Sequence, residues 1–241
     1  MNILQEIDKL QEEINSHRPL NIIKQLKEYY RVGLAYSSNA LEGNSLTESE
    51  TKIVIEDGIT IGGKPLKDHY EALGHSEAYD FIHKLSNRNG FTELNIQKLH
   101  NLFYYRIDKK SAGKYRKERV FISGSKYTLP APEKVPFLMK EFIIKTKELE
   151  NKYHSVEYSA LTHKEFVFIH PFLDGNGRVA RLLMNLILLQ KSYCIAIIPP
   201  VLRGEYIQAL EDAHTDDRKF IELIARVVKE TQKDYLRLLK S

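Results

Sequence analysis

The sequence predicts a mainly helical, all-α protein with one small β-hairpin. Through most of its 241 residues, apolar side chains recur at helical spacing, as at Ile3, Ile7 and Ile14. The run from Leu182 to Leu189 is apolar at nearly every position, which is typical of a buried helix. Residues 113–136 differ, because they hold two short β-prone runs around a turn rich in glycine and serine. We therefore expect helices around one core and a single hairpin.

The helices can be justified in order from apolar spacing and end signals. Ser45 and Glu48 have the spacing of a capping box, Gly58 follows as a stop, and Thr92 is a candidate N-cap. A turn around Gly90 separates an N-terminal unit from a core domain that we place at 90–241. The predicted helices run from residue 3 to an interruption at 17–19, and then over 21–36, 45–56, 67–86, 92–105, 132–153, 158–169, 178–189, 202–213 and 216–239.

Composition excludes several classes of function. The net charge is a mild +4 with scattered lysines, so a nucleic-acid partner is not indicated. A single cysteine, Cys194, cannot form an internal disulfide and fits a reducing compartment. The first residues lack the apolar region of a secretory signal, and no stretch is long enough to span a membrane. We expect a cytoplasmic protein with no membrane partner.

Residues 170–181, which read HPFLDGNGRVAR, form a polar loop between two apolar helical patterns. Each part has an ordinary explanation, since a His-Pro pair often ends a helix and Asp-Gly-Asn-Gly often forms a turn. Their combination within twelve residues indicates a functional site, because loops held by a rigid scaffold commonly carry the chemistry.

An anion is the first ligand that this loop predicts. Gly175 and Gly177 lack a Cβ and allow the backbone to approach a ligand closely. They precede a helix that starts near Arg178, and the free N–H groups at a helix N-terminus favour anions. Arg178 and Arg181 are three residues apart and share one helical face, where planar guanidinium groups suit phosphate oxygens.

Two further side chains complete the predicted chemistry. Asp174 offers the hard oxygen ligand that Mg²⁺ takes beside a nucleotide. His170 has the ordinary pKa of a general base near neutral pH. A base, a carboxylate for a metal, an anion cradle and two arginines together indicate phosphoryl or nucleotidyl transfer.

At every fixed position these residues match the Fic signature, His-Pro-Phe-x-[Asp/Glu]-Gly-Asn-Gly-Arg-x-x-Arg, and the chain resembles the Fic family over roughly residues 90–230. Such proteins are mostly AMP transferases (adenylyltransferases, or AMPylases), which move AMP from Mg·ATP to a Ser, Thr or Tyr hydroxyl of a target protein. The resemblance implies Mg²⁺, ATP as co-substrate, a mainly helical Fic fold and a regulatory role for residues 1–89. It implies that His170 is the base, that Asp174 holds Mg²⁺, that Asn176 with the backbone of Gly175 and Gly177 holds the α-phosphate, and that Arg178 and Arg181 hold the β- and γ-phosphates.

A second short run lies near the end of the second predicted helix. Ser38 and Glu42 are four residues apart, on one helical face, and Gly43 follows as a stop. Alone this would be a solvated helix end, but with the loop downstream it resembles the inhibitory motif of the family, [Ser/Thr]-x-x-x-Glu-[Gly/Asn]. The resemblance implies that Glu42 pairs with Arg181, so that ATP binds unproductively.

The hairpin region resembles the family's flap, which lies over the active site; we call residues 113–136 the flap segment. A target could add to its edge as an extra strand, using main-chain bonds. The resemblance also suggests Tyr206 as a residue that lines the adenine pocket, and we interpret His163 as structural, packing or hydrogen-bonding near the site. The flap residues predicted to dock a target are Ile122, Ser123, Gly124, Ser125, Lys126 and Tyr127.

Several alternatives stay open at this level. Within the family, members use another nucleotide, or phosphorylate by binding ATP in reverse, and Glu42 could activate water to remove AMP from targets. A different class is a non-catalytic, toxin-like regulator, which the intact motif argues against. We expect target proteins and the chain itself, through auto-AMPylation, as acceptors. The flap segment and the N-terminal helices could both support a homodimer, and nothing in the sequence decides this.

Overall fold

The computed structural model describes residues 2–16 and 20–240, and the predicted interruption at 17–19 lies outside the described residues. The described chain is helical, as predicted, and none of its helices is long and apolar enough to cross a membrane. Short 3-10 turns lie at Pro132–Lys134 and Pro200–Leu202, and a π-helical turn lies at Ile53–Asp57. The α-helices are α1 (Ile3–Ser16), α2 (Leu20–Ala40), α3 (Glu48–Lys52), α4 (Leu66–Leu85), α5 (Glu93–Tyr104), α6 (Val135–Lys152), α7 (Ser155–Ile169), α8 (Asn176–Gln190), α9 (Arg203–Asp212) and α10 (Arg218–Leu239).

Helix α8 lies in the middle of the core, as its apolar sequence predicts. Leu182, Leu183 and Leu186 are completely buried, and α7, α4, α5 and α2 pack around them. Burying one such side chain contributes about 1.5–3 kcal/mol. The loop at 170–175 therefore joins two buried helices, α7 and α8, and its ends are fixed by the core.

The N-terminal helices belong to the same packed structure. Ile7 of α1 is completely buried in a cluster with Phe220 and Leu223 of α10. Gln11 accepts hydrogen bonds at 3.0 Å from the N–H of Cys194 and at 3.1 Å from the amide of Gln232. The described N-terminal helices therefore share a core with the helices that follow residue 90, and the division at residue 90 stays a prediction.

One helix cap is confirmed and one is wrong. Thr92 caps α5 with Asn95 in the reciprocal position, as the sequence predicts for the start of that helix. The capping box before α3 is formed by Thr47 and Glu50, and not by Ser45. Ser45 is held elsewhere, because its N–H and hydroxyl donate to the carboxylate of Asp68 at 2.8 and 2.6 Å.

The predicted β-hairpin is also wrong, because the described residues contain no strand. At the tip of the flap segment is a turn, where the N–H of Ser125 donates to the carbonyl of Ile122 at 3.2 Å. An isolated two-stranded hairpin is marginal in water. We call the two runs on either side of this turn the limbs of the flap segment. The guanidinium of Arg116 donates to the carbonyl of Glu118 on one limb at 3.1 Å and to that of Pro130 on the other at 2.6 Å. A side chain therefore holds the limbs together where a strand ladder was predicted.

The connector after α8 is fixed by one buried amide. The side chain of Asn185 accepts from the N–H of Ala196 at 2.7 Å and donates to its carbonyl at 3.1 Å. It also donates to the carbonyl of Arg181, four residues earlier, at 3.1 Å. This ties the chain leading to α9 onto the central helix and so fixes where α9 reaches the site.

We expect Asn185→Ala to lower the free energy of unfolding by about 2–4 kcal/mol, because it leaves two buried main-chain groups of Ala196 without partners. Chemical denaturation measures the change. Asn151→Ala is the matched control, since its amide also donates to a carbonyl four residues back, that of Lys147, but from an exposed position. Equal effects from the two substitutions would contradict this account of Asn185.

Candidate active site

His170 lies at the C-terminal end of α7 and adopts a left-handed backbone conformation, with φ 50° and ψ 60°. Its Nδ1 lies 3.3 Å from the carbonyl oxygen of Val167. A carbonyl oxygen only accepts, so this contact puts the proton on Nδ1 and leaves the lone pair on Nε2. Burial, with a further contribution from the charge of Arg116, lowers the pKa of His170 to about 4, against the pull of the Val167 bond, Glu42 and Asp174. The imidazole is therefore a neutral base at physiological pH.

The loop after His170 is braced from inside. The side-chain amide of Asn176 accepts from the N–H of Phe172 and donates to its carbonyl, both at 2.9 Å. Gly175 has φ +76°, and a Cβ there would lie 3.0 Å from the ring of Phe103. The ring of His100 bonds the carbonyl of Asp174 at 3.1 Å. Sequence reasoning missed the bracing roles of Asn176 and His100, which no local pattern marks.

Asp174 lies at the entrance of the loop with 41% of its side chain exposed. Its Oδ1 accepts from the N–H of Gly175 at 2.6 Å and from Arg178 at 3.2 Å, and Lys67 lies 3.4 Å from Oδ2. Burial favours a higher pKa for Asp174, but the charge of Arg178 and these bonds outweigh it, so the pKa lies below its ordinary value. The carboxylate is ionised and accessible.

These properties fit a metal that arrives with a nucleotide. Mg²⁺ in proteins commonly takes one or two carboxylates together with phosphate oxygens and water, rather than a cage of side chains. Within the described ranges no group of three or more histidine, cysteine or acidic side chains is placed to hold a metal. Asp174 is accordingly the candidate ligand, and the remaining ligands would have to come from the nucleotide and from water.

Arg178, on the first turn of α8, is almost completely buried between two partners that the sequence did not suggest. Its Nη1 lies 2.7 Å from the carboxylate of Glu71, on α4, and its guanidinium lies 4.1 Å from the centre of the Phe103 ring. A stacked guanidinium loses little freedom when it bonds an anion. Glu71 and Phe103 therefore fix the direction of Arg178.

Arg181 is buried, with 2% exposure, and four of its hydrogen bonds reach other elements. Ser38, on α2, accepts from Nε through its hydroxyl at 2.9 Å and from Nη2 through its carbonyl at 2.8 Å. Nη1 donates to the hydroxyl of Tyr206 at 3.2 Å, and Nη2 donates to Glu42 at 2.6 Å. The pairing of Glu42 with Arg181 that the resemblance implies is thus present.

The carboxylate of Glu42 lies on the N-terminus of α8. A Cβ built on Gly177 would meet Oε1 of Glu42 at 2.3 Å, so a larger residue there would push the carboxylate out of this position. Burial favours a higher pKa for Glu42, but the charges of Arg181 and Arg178 outweigh it, and the pKa lies below its ordinary value. A carboxylate anion therefore fills the place where free N–H groups and guanidinium groups favour an anion. Gly43, with φ +91°, directs the chain away after Glu42.

Tyr206, predicted as an adenine contact, is buried on α9 with its hydroxyl between two polar partners. It bonds Arg181, as above, and lies 2.9 Å from Nε2 of His163 on α7. Burial lowers the pKa of His163 to about 3, so that ring is neutral. The bond to Tyr206 confirms the prediction that His163 forms a hydrogen bond near the site. Tyr206 in turn is connected to the site by its bond with Arg181.

The tip of the flap segment is bonded to α9. The carboxylate of Glu211 accepts from the Ser125 hydroxyl at 2.9 Å and from the Lys126 N–H at 2.7 Å. The ring of Tyr127 stacks on His214 with centroids 3.5 Å apart. Ile122, Ser123 and Gly124 are exposed between these contacts and the limb that leads to Arg116. Glu211, at the end of α9, and His214, just after it, were missed by sequence reasoning, because no motif marks this part of the chain.

Comparison with known proteins gives consistent relatives. Residues 90–188 match the model of the Fic/DOC family. The chain is 35% identical over 97% of its length to a protein adenylyltransferase Fic of Nematostella vectensis and covers 56% of that protein. It is also 35% identical over 83% of its length to one of Drosophila grimshawi and covers 42% of it. The chain thus spans about half the length of the curated relatives it matches.

Two solved structures extend the likeness to almost the whole chain. A segment of Fic-1 from C. elegans matches with a TM-score of 0.89 and 27% identity, over 98% of this chain and 71% of that one. A Fic domain containing signaling protein from Bacteroides thetaiotaomicron matches with a TM-score of 0.88 and 25% identity, over 98% and 97%. The similarity therefore includes the N-terminal helices as well as residues 90–188.

We expect the side chain of His170 to titrate with a midpoint near pH 4, because burial disfavours its charged form. Proton NMR of the imidazole across pH 3–8 measures this, and the signal lost in His170→Ala identifies the residue. The ring should therefore stay neutral from about pH 5 upward. A midpoint near 6.5, the ordinary value, would contradict the described environment.

Proposed function

Because residues 90–188 of this chain belong to the Fic/DOC family, we propose that the protein is an adenylyltransferase that transfers AMP from Mg·ATP to a Ser, Thr or Tyr hydroxyl of a target protein. The proposal draws on relatives named protein adenylyltransferase Fic, which this chain covers in part. It is carried by one observation: Arg181 bonds the carboxylate of Glu42, which lies against the N-terminus of α8, where a helix favours an anion.

His170 is the proposed base. Its Nε2 takes the proton of the target hydroxyl, whose oxygen attacks the α-phosphorus of ATP. The bond between the α-phosphorus and the bridging oxygen breaks, and pyrophosphate leaves. The proposal is supported by a neutral imidazole whose Nδ1 proton is bonded to Val167. A base that is neutral at physiological pH needs no prior loss of a proton.

The phosphates are proposed to lie along the first turn of α8. The N–H groups around Gly175 and Gly177 face the α-phosphate, while Arg178 and Arg181 hold the outer phosphates. Since the amide of Asn176 bonds Phe172 at both ends, its contribution would be to brace the loop rather than to touch phosphate with its side chain. Asp174 would hold Mg²⁺, whose charge would offset that of the pyrophosphate leaving group.

Glu42 is proposed to inhibit the enzyme from within the chain. Its carboxylate takes the bond of Arg181 that the γ-phosphate needs and lies on Gly177, so ATP must bind in another position or displace it. With 36% of its side chain exposed, Glu42 is the partner of Arg181 that an anion can replace without opening the core. Ser38 and Tyr206 keep Arg181 in place when Glu42 moves.

We expect Glu42→Gly to raise transfer of label from α-labelled ATP to protein at least tenfold, with auto-modification, because the anion site becomes free. The assay uses the purified chain, Mg²⁺ and a cell lysate as acceptor, with ATP labelled in parallel at the γ-position. Glu56→Gly is the matched control, since this exposed glutamate also lies near the end of an N-terminal helical segment but pairs with Lys52. His170→Ala in the Glu42→Gly protein should lose transfer and keep nucleotide binding.

Three outcomes would overturn parts of this proposal. Label passing from the γ-position would mean that ATP binds in reverse and that the protein is a kinase. Full turnover in the His170→Ala protein would remove the base from the mechanism. Tight ATP binding without any gain of transfer in Glu42→Gly would refute inhibition by Glu42.

A further inference from the structure

Arg116 joins the flap segment to the loop at residues 170–175, which we call the catalytic loop, by bonding main-chain carbonyls of that loop. Its Nε donates to the carbonyl of His170 at 2.7 Å, and its own N–H donates to the carbonyl of Pro171 at 2.9 Å. The same guanidinium donates to Glu118 and Pro130 on the two limbs of the flap segment. One side chain therefore bonds the carbonyl of His170, the proposed general base, and also joins the two limbs of the flap segment.

This guanidinium is buried and has no acidic partner at contact distance. Arg116 is 3% exposed, and none of the ion pairs within 4.0 Å among residues 2–16 and 20–240 includes it. A buried charge without a contacting counter-ion is costly. Here carbonyl dipoles stabilise it, together with the charge of Glu133 at longer range. Lysine could not reach three carbonyls in one plane, since only the planar fork of arginine presents donors in that geometry.

We propose that Arg116 is a positioning residue for the transfer reaction, which holds His170 in its left-handed conformation and ties both limbs of the flap segment to it. This inference rests on the proposed function, because it assigns His170 as the base. It adds a residue outside residues 170–181 and outside Ser38 and Glu42.

His170 needs such a restraint. A positive φ, such as the 50° of His170, is uncommon for any residue with a Cβ, and a residue that precedes a proline favours an extended backbone. The conformation is set by fixing the carbonyl that follows the Cα, and Arg116 bonds that carbonyl directly. The bond from the N–H of His170 to Phe166, at 3.1 Å, fixes the other side. Together they determine where the imidazole points.

The charge of Arg116 has a second effect on the same ring. Three charged groups bear on His170: Arg116 favours the neutral imidazole, while Glu42 and Asp174 favour the imidazolium. In Glu42→Gly protein, Asp174 is left to oppose Arg116. Removing the charge at 116 should therefore raise the pKa of His170, whereas moving the charge onto a lysine should largely keep it low.

The test compares Arg116→Lys and Arg116→Gln in Glu42→Gly protein, with ATP affinity and thermal midpoint measured beside the rate. Both variants should lower kcat at least tenfold with ATP affinity within about threefold of the parent, since the nucleotide contacts lie on α8. The acid limb of the rate, and the NMR midpoint of His170, should move to higher pH in Arg116→Gln and stay close to the parent in Arg116→Lys. Arg119→Lys and Arg119→Gln, at an exposed arginine of the same flap segment, are the matched controls and should leave all of these readouts unchanged.

Any of the following results would overturn the inference. If kcat stays within twofold of the parent in both variants, Arg116 does not position the base. If ATP affinity falls as far as kcat, or the thermal midpoint collapses in both, its role is structural only. The NMR titration does not depend on turnover, so it tests the effect of Arg116 on His170 separately from the proposed adenylyltransferase activity. A Glu42→Gly protein without transfer refutes the proposed function, whereas an unmoved His170 midpoint in Arg116→Gln refutes the charge effect.

Discussion

The site depends on one buried cation, the guanidinium of Arg181. A guanidinium remains charged at any pH in a protein, and an unpaired charge in the core costs several kcal/mol, so partners must be supplied from every side. Ser38 of α2 gives two of them and Tyr206 of α9 gives a third. Two helices that are distant in sequence, α2 and α9, must therefore meet at the N-terminal half of α8. This constraint is one reason why the N-terminal helices share a core with residues 90–240, because without Ser38 the arginine would lose two of its four bonds to other elements.

The fourth partner differs in kind. Ser38 and Tyr206 are neutral and buried, whereas Glu42 is an anion with a third of its side chain exposed. Neutral partners orient Arg181 but leave its charge uncompensated, and an anion at the helix start compensates it. The arrangement thus requires an anion at this place and does not specify which one. In the proposed enzyme, a carboxylate of the chain and a phosphate of the nucleotide compete for the same donors.

Which of these contacts could be predicted depends on how the bonded residues are placed in the sequence. Residues 170–181 were predicted because their chemistry is contiguous, and the Glu42–Arg181 pair was predicted because Ser38 and Glu42 share a face and resemble a motif. Glu71 and Asn185 were not predicted, since their partners, Arg178 and Ala196, are set by how helices and a connector pack. The hairpin was wrong for a related reason. The residues of the two limbs do favour strands. Strand propensity cannot show, however, that the buried Arg116, three residues after Gly113, bonds both limbs.

That error bears on how the flap segment works. In a hairpin, the main-chain groups facing the opposite limb bond each other, and the shape belongs to the hairpin itself. Here a cation, Arg116, binds the base of the segment, and an anion, Glu211, binds its tip. The shape is therefore imposed by the catalytic loop and by α9, the helix that also carries Tyr206. Main-chain groups of the limbs are not used up in a ladder, so a target strand could bond them. Any movement of α9 or of the catalytic loop would then alter the surface on which the sequence predicts that a target docks.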